Sequence, residues 1–508
     1  MSKKQNILGL TSKKEDNFPD WYHQVITKAE LISYYDVSGC YVLRPNSYQI
    51  WEFSQQYLDA EFKKDGVRNA YFPIFISQEA LSKEADHLSD FSPEVAWVTK
   101  SGNKDIDKEI AIRPTSETSM YPHISDWLNS YRDLPMKLNQ WNNVVRWEFK
   151  NPTPFIRSRE FLWQEGHTAH MTQEEAEEQV LKSLNVYKEF YKRMLCLDVI
   201  PGMKTPKEKF AGANYTMTVE AFVPEVGRGI QAATSHYLGQ NFAKMFDIVY
   251  EDPTIKNQKN YVHQTSWGLT TRSIGTLIMT HGDNVGMVLP PTVAFYQVVI
   301  VPTGLNKKAT EETKKNVLQR CKDIETALNQ HGIRCHADLR EIYSPPWKYN
   351  YWEMRGIPLR IEVGPRELDT NGVRFVNRVT KEKTDVIMDF NITEQLKQVN
   401  DKLSEISEIL YQNSKTKMKE SLTHTINWDE LIKGIENKKM IGVPFCKSVK
   451  CEEDIKEQFN KLGEKYQGAK TLCTPIDQSG VEFNDKTQCI NPNCQTICNE
   501  YTLFGKSY

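Results

Sequence analysis

The sequence lacks the apolar runs that a membrane protein needs. No stretch reaches about 18 consecutive apolar residues, so we expect no membrane-spanning helix. The first residues, MSKKQNILGL, contain no long apolar core of the kind that a secretory signal has. We therefore expect a cytoplasmic chain that has no membrane partner.

An excess of charge of either sign is also missing. The chain has 64 lysines and arginines against 66 aspartates and glutamates, which gives a formal net charge of −2 at pH 7. The net charge therefore does not indicate a nucleic-acid partner, and a basic surface that binds nucleic acid must be a local patch. The phosphate-binding pattern G-x-x-x-x-G-K-[ST] is absent as well, which excludes a P-loop nucleotide site.

Cysteine is scarce along most of the chain and crowded near its end. Of the 10 cysteines, most lie between Cys446 and Cys498. In a long chain without a secretory signal, such crowding favours a metal site over a disulfide framework. Cys473 lies in an apolar run and is interpreted as a core residue.

Residues 139–170 concentrate charged side chains among aromatic ones. Val144 and Val145 begin a β-type run, residues 151–154 have turn chemistry, and residues 161–163 resume the β-type composition, so we predict a hairpin. Its charged residues are Arg146, Glu148, Arg157, Arg159, Glu160, Glu165 and His167. Burying such groups is costly unless they bind something, and the alternative is a hairpin stabilised by its own ion pairs.

The second half of the chain changes pattern after Pro290 and Pro291. Alternating strands and helices over residues 297–376 predict a small α/β domain with a parallel or mixed sheet. Residues 393–424 then predict a long polar helix that connects to the cysteine-rich end.

Several stretches resemble the signature motifs of class II aminoacyl-tRNA synthetases. R-W-E-F and F-I-R-S-R-E-F-L-W-Q-E-G-H, within residues 146–167, are similar to motif 2 of the prolyl enzymes of eukaryotic and archaeal type. Residues 266–275 look like motif 3, a strand that runs into a helix with Arg272 at the junction. A helix near residues 47–58 and a strand at residues 71–74 would form motif 1. Residues 115–117 match the T-x-E loop of the family, although this pattern alone is also typical of a helix N-cap.

The resemblance implies an α+β architecture. It consists of a class II antiparallel sheet flanked by helices, an α/β anticodon-binding domain and a small α+β zinc-binding domain at the C-terminus. The implied boundaries are a flexible N-terminus at 1–20, a catalytic domain at 21–291, an anticodon-binding domain at 294–392, a helical connector at 393–426 and the zinc-binding domain at 427–508.

The resemblance also implies the activity of a proline–tRNA ligase. Such an enzyme makes prolyl-adenylate from proline and ATP with Mg²⁺, then transfers the prolyl group to the 3′ end of tRNA(Pro). We further expect a homodimer, formed through motif 1, and no editing insertion between motifs 2 and 3. A related ligase for another amino acid and an inactive tRNA-binding paralogue are the alternatives.

The matched motifs assign roles residue by residue. Arg146 and Arg272 are the implied catalytic residues. The implied ATP-binding residues are Arg146, Glu148, Arg157, Phe161, Gln231, Thr234 and Arg272. The implied proline-binding residues are Thr115, Glu117, Arg146, Trp163, Glu165, His167, Phe210, His236 and Ser266, with Phe91 as a further wall. Taken alone, a histidine such as His236 on a strand is more often structural.

Four cysteines near the C-terminus are the predicted ligands of a structural zinc ion. Cys446 and Cys451 form one C-x4-C pair, and Cys489 and Cys494 form another. Two thiol pairs fit a closed tetrahedral site of four thiolates, which leaves no open position for chemistry. The family has a tighter late pair, so Cys498 is the first substitute.

Overall fold

The computed structural model of the 508-residue chain describes residues 9–87, 95–147, 151–306, 309–387, 392–479, 483–484 and 486–508. None of the helices in these ranges is long and apolar enough to cross a bilayer.

The first part of the chain precedes the sheet of the implied catalytic domain, which is named the catalytic sheet, and its strand at Arg68–Asn69 pairs with the edge of that sheet. Its elements are α1 Phe18–Lys28, β1 Ile32–Tyr34, β2 Tyr41–Leu43, α2 Pro45–Lys64, β3 Arg68–Asn69, β4 Phe75–Ser77, α3 Gln78–His87, β5 Trp97–Ser101, β6 Lys104–Ile112 and α4 Glu117–Trp127, followed by a 3₁₀ turn at Tyr131–Asp133. Asn17 caps α1, because its side chain accepts a hydrogen bond from the backbone N–H of Asp20.

The central part forms the catalytic sheet and three helices. Its elements are β7 Met136–Val145, β8 Glu160–His170, α5 Gln173–Leu195, β9 Ile200–Met203, β10 Tyr215–Val223, β11 Arg228–Gly239, α6 Asn241–Phe246, β12 Val249–Glu251, β13 Lys259–Tyr261, β14 His263–Thr270 and α7 Arg272–His281.

The catalytic strands pair in the order β9-β10-β11-β14-β8-β7, and every pair in this run is antiparallel. The predicted hairpin is therefore confirmed as β7 and β8, although its first strand ends at Val145. Helix α5 begins with a capping box between Thr172 and Glu175, and its buried face, with Val180, Leu184 and Tyr187, belongs to the main hydrophobic core. One sheet face is thus covered, which leaves the other face for a cavity.

The next region has its own five-stranded sheet. Its elements are β15 Val298–Pro302, α8 Glu311–Gln330, β16 Cys335–Ala337, α9 Pro345–Met354, β17 Leu359–Val363, α10 Pro365–Asp369, β18 Gly372–Asn377 and β19 Lys383–Ile387. The order is β16-β15-β17-β18-β19, with parallel pairs around β15 and antiparallel pairs around β18. The predicted mixed sheet is confirmed. Helix α9 begins at Pro345, where two prolines occupy the first turn.

The last region continues the catalytic sheet. Its elements are α11 Ile392–Ser421, β20 Leu422–His424, α12 Trp428–Glu436, β21 Met440–Pro444, α13 Val449–Lys461, a 3₁₀ turn at Glu464–Tyr466, β22 Ala469–Pro475 and β23 Tyr501–Ser507. Strand β22 pairs antiparallel with β9, and the end of β23 runs parallel to the start of β11. The cysteine-rich end and the catalytic region therefore share one eleven-stranded sheet.

One predicted strand is wrong. Residues 71–74 were expected to form the strand of motif 1, but the structure has β3 at Arg68–Asn69, parallel to β7, and β4 at Phe75–Ser77. Between them, the backbone N–H of Phe72 donates to the side chain of Gln140, and Pro73 has no N–H to give to a ladder. The chain here is therefore fixed by a side chain instead of by a neighbouring strand.

Candidate active site and thiol cluster

A cavity of about 440 Å³ lies against β8, β10, β11 and β14. Most of the residues that the sequence nominated for ATP and proline line it. These are Thr115, Glu117, Arg146, Phe161, Trp163, Glu165, His167, Phe210, Gln231, Thr234, His236, Ser266 and Arg272. They come from stretches of chain more than 100 residues apart, and the sheet brings them together because β8, β11 and β14 are neighbours.

Three nominated residues are not placed in the cavity wall. Glu148 and Phe91 lie outside the described residues. Arg157 is exposed in the loop between β7 and β8 and is not a lining residue. Its charge still acts on the site, because it is one of the neighbouring charges that lower the pKa of Arg272.

Two arginines form one end of the cavity. The Nε of Arg146 donates to the carbonyl oxygen of Pro114 at 3.0 Å, and its guanidinium lies over the rings of Phe161 and Trp163, 5.6 and 5.5 Å from their centroids. The Nε and Nη1 of Arg272 donate to the carbonyl oxygens of Ile156 and Gln231 at 3.1 and 3.2 Å. These contacts fix both guanidinium planes.

Arg272 is a poorly solvated cation. It is the first residue of α7, where the helix N-terminus adds further positive potential. Burial, followed by the charge of Arg146, lowers the pKa of Arg272 to about 10. Among the residues that the structure describes, no carboxylate forms an ion pair with it. This end of the cavity is therefore suited to an anion of high charge.

Buried carboxylates form the other end. Oε1 of Glu165 accepts hydrogen bonds from Ser116 Oγ, from Gln140 Nε2 at 3.0 Å and from Asn142 Nδ2 at 2.7 Å. Its Oε2 lies 3.1 Å from Nε2 of His167, whose Nδ1 is 2.9 Å from the hydroxyl of Tyr121. This network holds the carboxylate in one orientation.

The protonation of Glu165 and His167 follows from their pairing. Burial disfavours a charge on either group, but their mutual attraction and hydrogen bond outweigh it. The pKa of Glu165 is therefore held below, and the pKa of His167 raised above, the ordinary value.

The T-x-E segment supplies a second carboxylate. Helix α4 begins at Glu117, and its N-cap is Ser116, which makes no side-chain capping hydrogen bond. The hydroxyl of Thr115 donates instead to the carboxylate of Glu117, and both residues line the cavity. The segment therefore starts a helix and also lines the cavity, and its hydroxyl and carboxylate bind each other instead of capping the helix.

Aromatic rings close the carboxylate end. The rings of Phe210 and His236 are 4.9 Å apart, and Nδ1 of His236 is 2.9 Å from the hydroxyl of Thr216. Burial, helped by the charge of His167, lowers the pKa of His236 to about 3, so this imidazole is neutral. The buried indole Nε1 of Trp163 has no hydrogen-bond partner within the described chain. A ligand with an acceptor can therefore use it.

Four thiols lie together near the C-terminal end of the sheet. The Sγ atoms of Cys446, Cys451, Cys489 and Cys494 are all within 4.8 Å of one another, an arrangement that could hold a metal ion. Two of the Sγ···Sγ distances are 3.7 Å, between Cys451 and Cys489, and 3.9 Å, between Cys446 and Cys494. Nδ2 of Asn491 also donates to Cys451 Sγ at 3.2 Å.

Cys498, the substitute ligand, lies outside this group. Its Sγ is 3.6 Å from the carbonyl oxygen of Thr496, and its N–H donates to Thr487. Cys473 is fully buried in an apolar cluster, as the sequence predicted.

Comparisons with known proteins match the chain along its whole length. Residues 97–281 match the family "tRNA synthetase class II core domain (G, H, P, S and T)", residues 297–399 match "Anticodon binding domain", and residues 428–508 match "Prolyl-tRNA synthetase, C-terminal". A cytoplasmic proline–tRNA ligase of Arabidopsis thaliana is 49% identical over 506 residues, which cover 100% of this chain and 92% of that protein. The chain belongs to the prolyl-tRNA synthetase family.

Two further comparisons concern the length and the fold of the chain. A bifunctional glutamate/proline–tRNA ligase of Drosophila melanogaster is 51% identical, and the chain spans 30% of that longer relative. The first curated relatives, all bifunctional, are thus about three times as long as the matched region. The crystal structure of a prolyl-tRNA synthetase from Cryptosporidium parvum, complexed with halofuginone and AMPPNP, is similar with a TM-score of 0.91 and 49% identity, covering 100% of this chain and 99% of that one. The predicted family and fold class are confirmed.

Several residues that line this cavity were not identified from the sequence. Glu208 and Thr216 line it, as do Phe155, Ser158 and Trp267. Trp267 and Gly166 lie opposite each other on β14 and β8, and a Cβ on Gly166 would come 2.0 Å from the indole. The position of Trp267 within the motif 3 strand could have identified it as a lining residue. No sequence feature could have identified Glu208, because its loop has no periodic pattern.

Proposed function

We propose that this chain is a proline–tRNA ligase. It joins the carboxylate of proline to the α-phosphate of ATP, releases pyrophosphate, and passes the prolyl group to the 3′ end of tRNA(Pro). The observation that carries the proposal is one cavity that has arginines at one end and carboxylates closed in by aromatic rings at the other. An anion and an ammonium group are thereby bound a short distance apart, as prolyl-adenylate formation requires.

The proposed chemistry needs no side-chain nucleophile. A carboxylate oxygen of proline attacks the α-phosphorus, and the bond to the bridging oxygen of pyrophosphate breaks. Arg146 and Arg272 stabilise the charge on the phosphorus oxygens, because planar guanidinium groups can donate two hydrogen bonds each. Arg157 contacts the outer phosphates, and Phe161, Gln231 and Thr234 bind the adenosine. Glu148 is the residue that would bind Mg²⁺, and the ion would neutralise part of the charge of the ATP phosphates.

The proline ring occupies the slot between Trp163, Phe210 and His236. Its protonated amine, which has two N–H donors, binds Glu117 and Glu165, with Thr115, His167 and Ser266 completing the wall. The neutral state of His236 supports this assignment, because a second cation beside the amine would repel it.

A structural zinc ion is proposed for the thiol cluster. A tetrahedral site with Zn–S bonds of about 2.3 Å has S···S edges of about 3.8 Å, which the two distances of 3.7 and 3.9 Å support. Cys446, Cys451, Cys489 and Cys494 are the ligands. Four thiolates leave no open position, so the ion stabilises the fold and takes no part in the chemistry.

Metal analysis tests the zinc site. Protein purified without added zinc should contain about one equivalent per chain, because four thiolates form a closed site. Cys446→Ser should lose most of the metal, whereas Cys40→Ser, a lone thiol far from the cluster in sequence, should keep it. A metal-free wild-type protein with an intact C-terminal region would contradict the zinc assignment.

The remaining partners are also proposals. The mixed-sheet region at 294–392 binds the anticodon stem of tRNA(Pro), and the region around α2 and β3 joins two copies in a homodimer. A cytoplasmic location is supported by the name of the Arabidopsis relative. Absence of editing is supported by the segment between β8 and β14, whose described elements pack within the catalytic domain. Rapid hydrolysis of alanyl-tRNA(Pro) would contradict it.

Amino-acid-dependent ATP–pyrophosphate exchange tests the function. We expect exchange with proline, and much weaker exchange with alanine, when each of the amino acids is supplied in turn. Stronger exchange with another amino acid would favour the related-ligase alternative, and no exchange with any would favour the inactive paralogue. Charging of tRNA(Pro) with radiolabelled proline then tests the second step.

A further inference from the structure

A short loop joins the cavity to the cysteine-rich end of the chain. This pocket loop, residues 204–210, follows β9 and carries Glu208 and Phe210 into the cavity wall. The N–H of Phe210 donates to Oγ1 of Thr216 at 2.9 Å, and the same hydroxyl is 2.9 Å from Nδ1 of His236. The position of the loop therefore determines the orientation of the Phe210 ring relative to His236.

The opposite side of the pocket loop is held by the C-terminal region. Nζ of Lys470, on β22, forms an ion pair of 2.5 Å with Oε2 of Glu208. Nζ of Lys207 lies 3.2 Å from Oε1 of Glu453, on α13. Nζ of Lys204 donates to the carbonyl oxygen of Leu472 at 2.6 Å.

The strand before the loop is fixed just as closely. Thr474 and Pro475 of β22 pair with Met203 and Gly202 of β9. A Cβ on Gly202 would lie 2.6 Å from Sγ of Cys473, so no larger residue fits between these strands. The base of the loop is thus rigid, whereas Pro206 is exposed and its neighbours up to Phe210 are only half-buried. Inside the loop, the N–H groups of Glu208 and Lys209 donate to the carbonyl oxygen of Thr205, and the ion pairs of Lys207 and Glu208 tie this outer part to the C-terminal region.

We propose that Lys470 is a positioning residue for the amino-acid end of the cavity. Through its ion pair with Glu208 it holds the pocket loop, and with it Phe210, in the geometry that binds the amino acid. It also neutralises a carboxylate that would otherwise compete with Glu117 and Glu165 for the ammonium group. This inference rests on the proposed proline–tRNA ligase function, and it makes the cysteine-rich end a determinant of amino-acid affinity as well as of stability.

The test compares Lys470→Met with a matched control. Lys465→Met removes a lysine from the same region that also pairs with a glutamate, Glu436, at 2.5 Å, but away from the cavity. In ATP–pyrophosphate exchange, Lys470→Met should raise the KM for proline about fivefold, the upper range for a partly exposed ion pair, and leave kcat and the KM for ATP within about twofold. Lys470→Arg should restore most of the proline affinity, and Lys465→Met should match the wild type.

A double-mutant cycle sharpens the result. In a Glu208→Gln background, Lys470→Met should have no further effect on proline affinity, because the pair is already broken. Lys470→Gln, a smaller change, serves if the methionine variant does not fold. A proline KM unchanged in Lys470→Met, or raised equally for ATP or in Lys465→Met, would overturn the positioning role. Absence of proline-dependent exchange in the wild type would instead overturn the proposed function itself.

Discussion

The arginine end of the cavity and its carboxylate end hold their charges in different ways. Arg272 is fixed by backbone carbonyl oxygens and has no carboxylate partner among the described residues, so its positive charge is not compensated. Glu165 is fixed by neutral hydroxyl and amide donors and is paired with a buried histidine, so its charge is partly compensated. The first arrangement suits a polyphosphate, and the second, with Glu117, suits a single ammonium group.

A cavity with two such ends can distinguish a polyphosphate from an ammonium group. Each end is pre-organised by contacts that fix geometry, and the two ends differ in the sign of their charge and in how far that charge is compensated. Substitutions at the two ends should therefore affect different kinetic constants.

The largest expected effect is at the arginine end. Arg146→Lys should lower proline-dependent exchange by at least about 100-fold, because lysine cannot reproduce a fixed planar donor at the reacting phosphorus. Arg132→Lys, an exposed arginine over Tyr131, is the matched control and should be neutral. Thermal unfolding of both variants should resemble that of the wild type. Near-normal turnover in Arg146→Lys would remove this residue from its role.

A smaller effect is expected at the carboxylate end. Glu165→Gln should raise the KM for proline by about 30-fold or more, since a buried charged partner of the ammonium is lost. The KM for ATP should change little, because the arginine end is intact. Glu178→Gln, on the exposed side of α5, controls for the substitution itself. An equal rise in both KM values would mean that the two ends do not act separately.

The smallest effect is a pH dependence of stability that comes from His236. Its folded pKa of about 3 is below the ordinary value of 6.5, so its contribution to stability is full above pH 6.5 and is lost as pH falls from there. At pH 5 the loss should be about 2 kcal/mol relative to pH 8. Chemical denaturation of wild type and His236→Gln at both pH values measures it. Between pH 8 and pH 5, the free energy of unfolding should fall by about 2 kcal/mol more in the wild type than in His236→Gln. An equal fall in both proteins would show that His236 is not kept neutral.

Much of the site was predictable because many of its residues lie within short sequence motifs. The strand, arginine and helix of motif 3 appear as β14, Arg272 and α7, and the hairpin appears as β7 and β8. The two cysteine pairs were identified by spacing alone, and the structure clusters these same four thiols.

The rest could not be predicted because it depends on tertiary contacts. Residues 71–74 have strand-like composition, but Gln140 and the missing N–H of Pro73 decide their backbone conformation. The continuation of the catalytic sheet into β22 and β23 pairs residues that are more than 250 positions apart. No local sequence pattern predicts such a pairing. Glu208 is identified as a lining residue only once that sheet exists. The domain boundaries remain predictions.

The most direct test of the two-ended cavity uses proline without its charge. Tetrahydrofuran-2-carboxylate has the ring and the carboxylate of proline but an oxygen in place of the protonated amine. If Glu117 and Glu165 bind that amine, the buried carboxylates would be left without their cation when the compound binds. The inhibition constant of the compound in proline-dependent exchange should then be at least about 100-fold higher than the KM for proline. An inhibition constant close to the KM for proline would contradict the account.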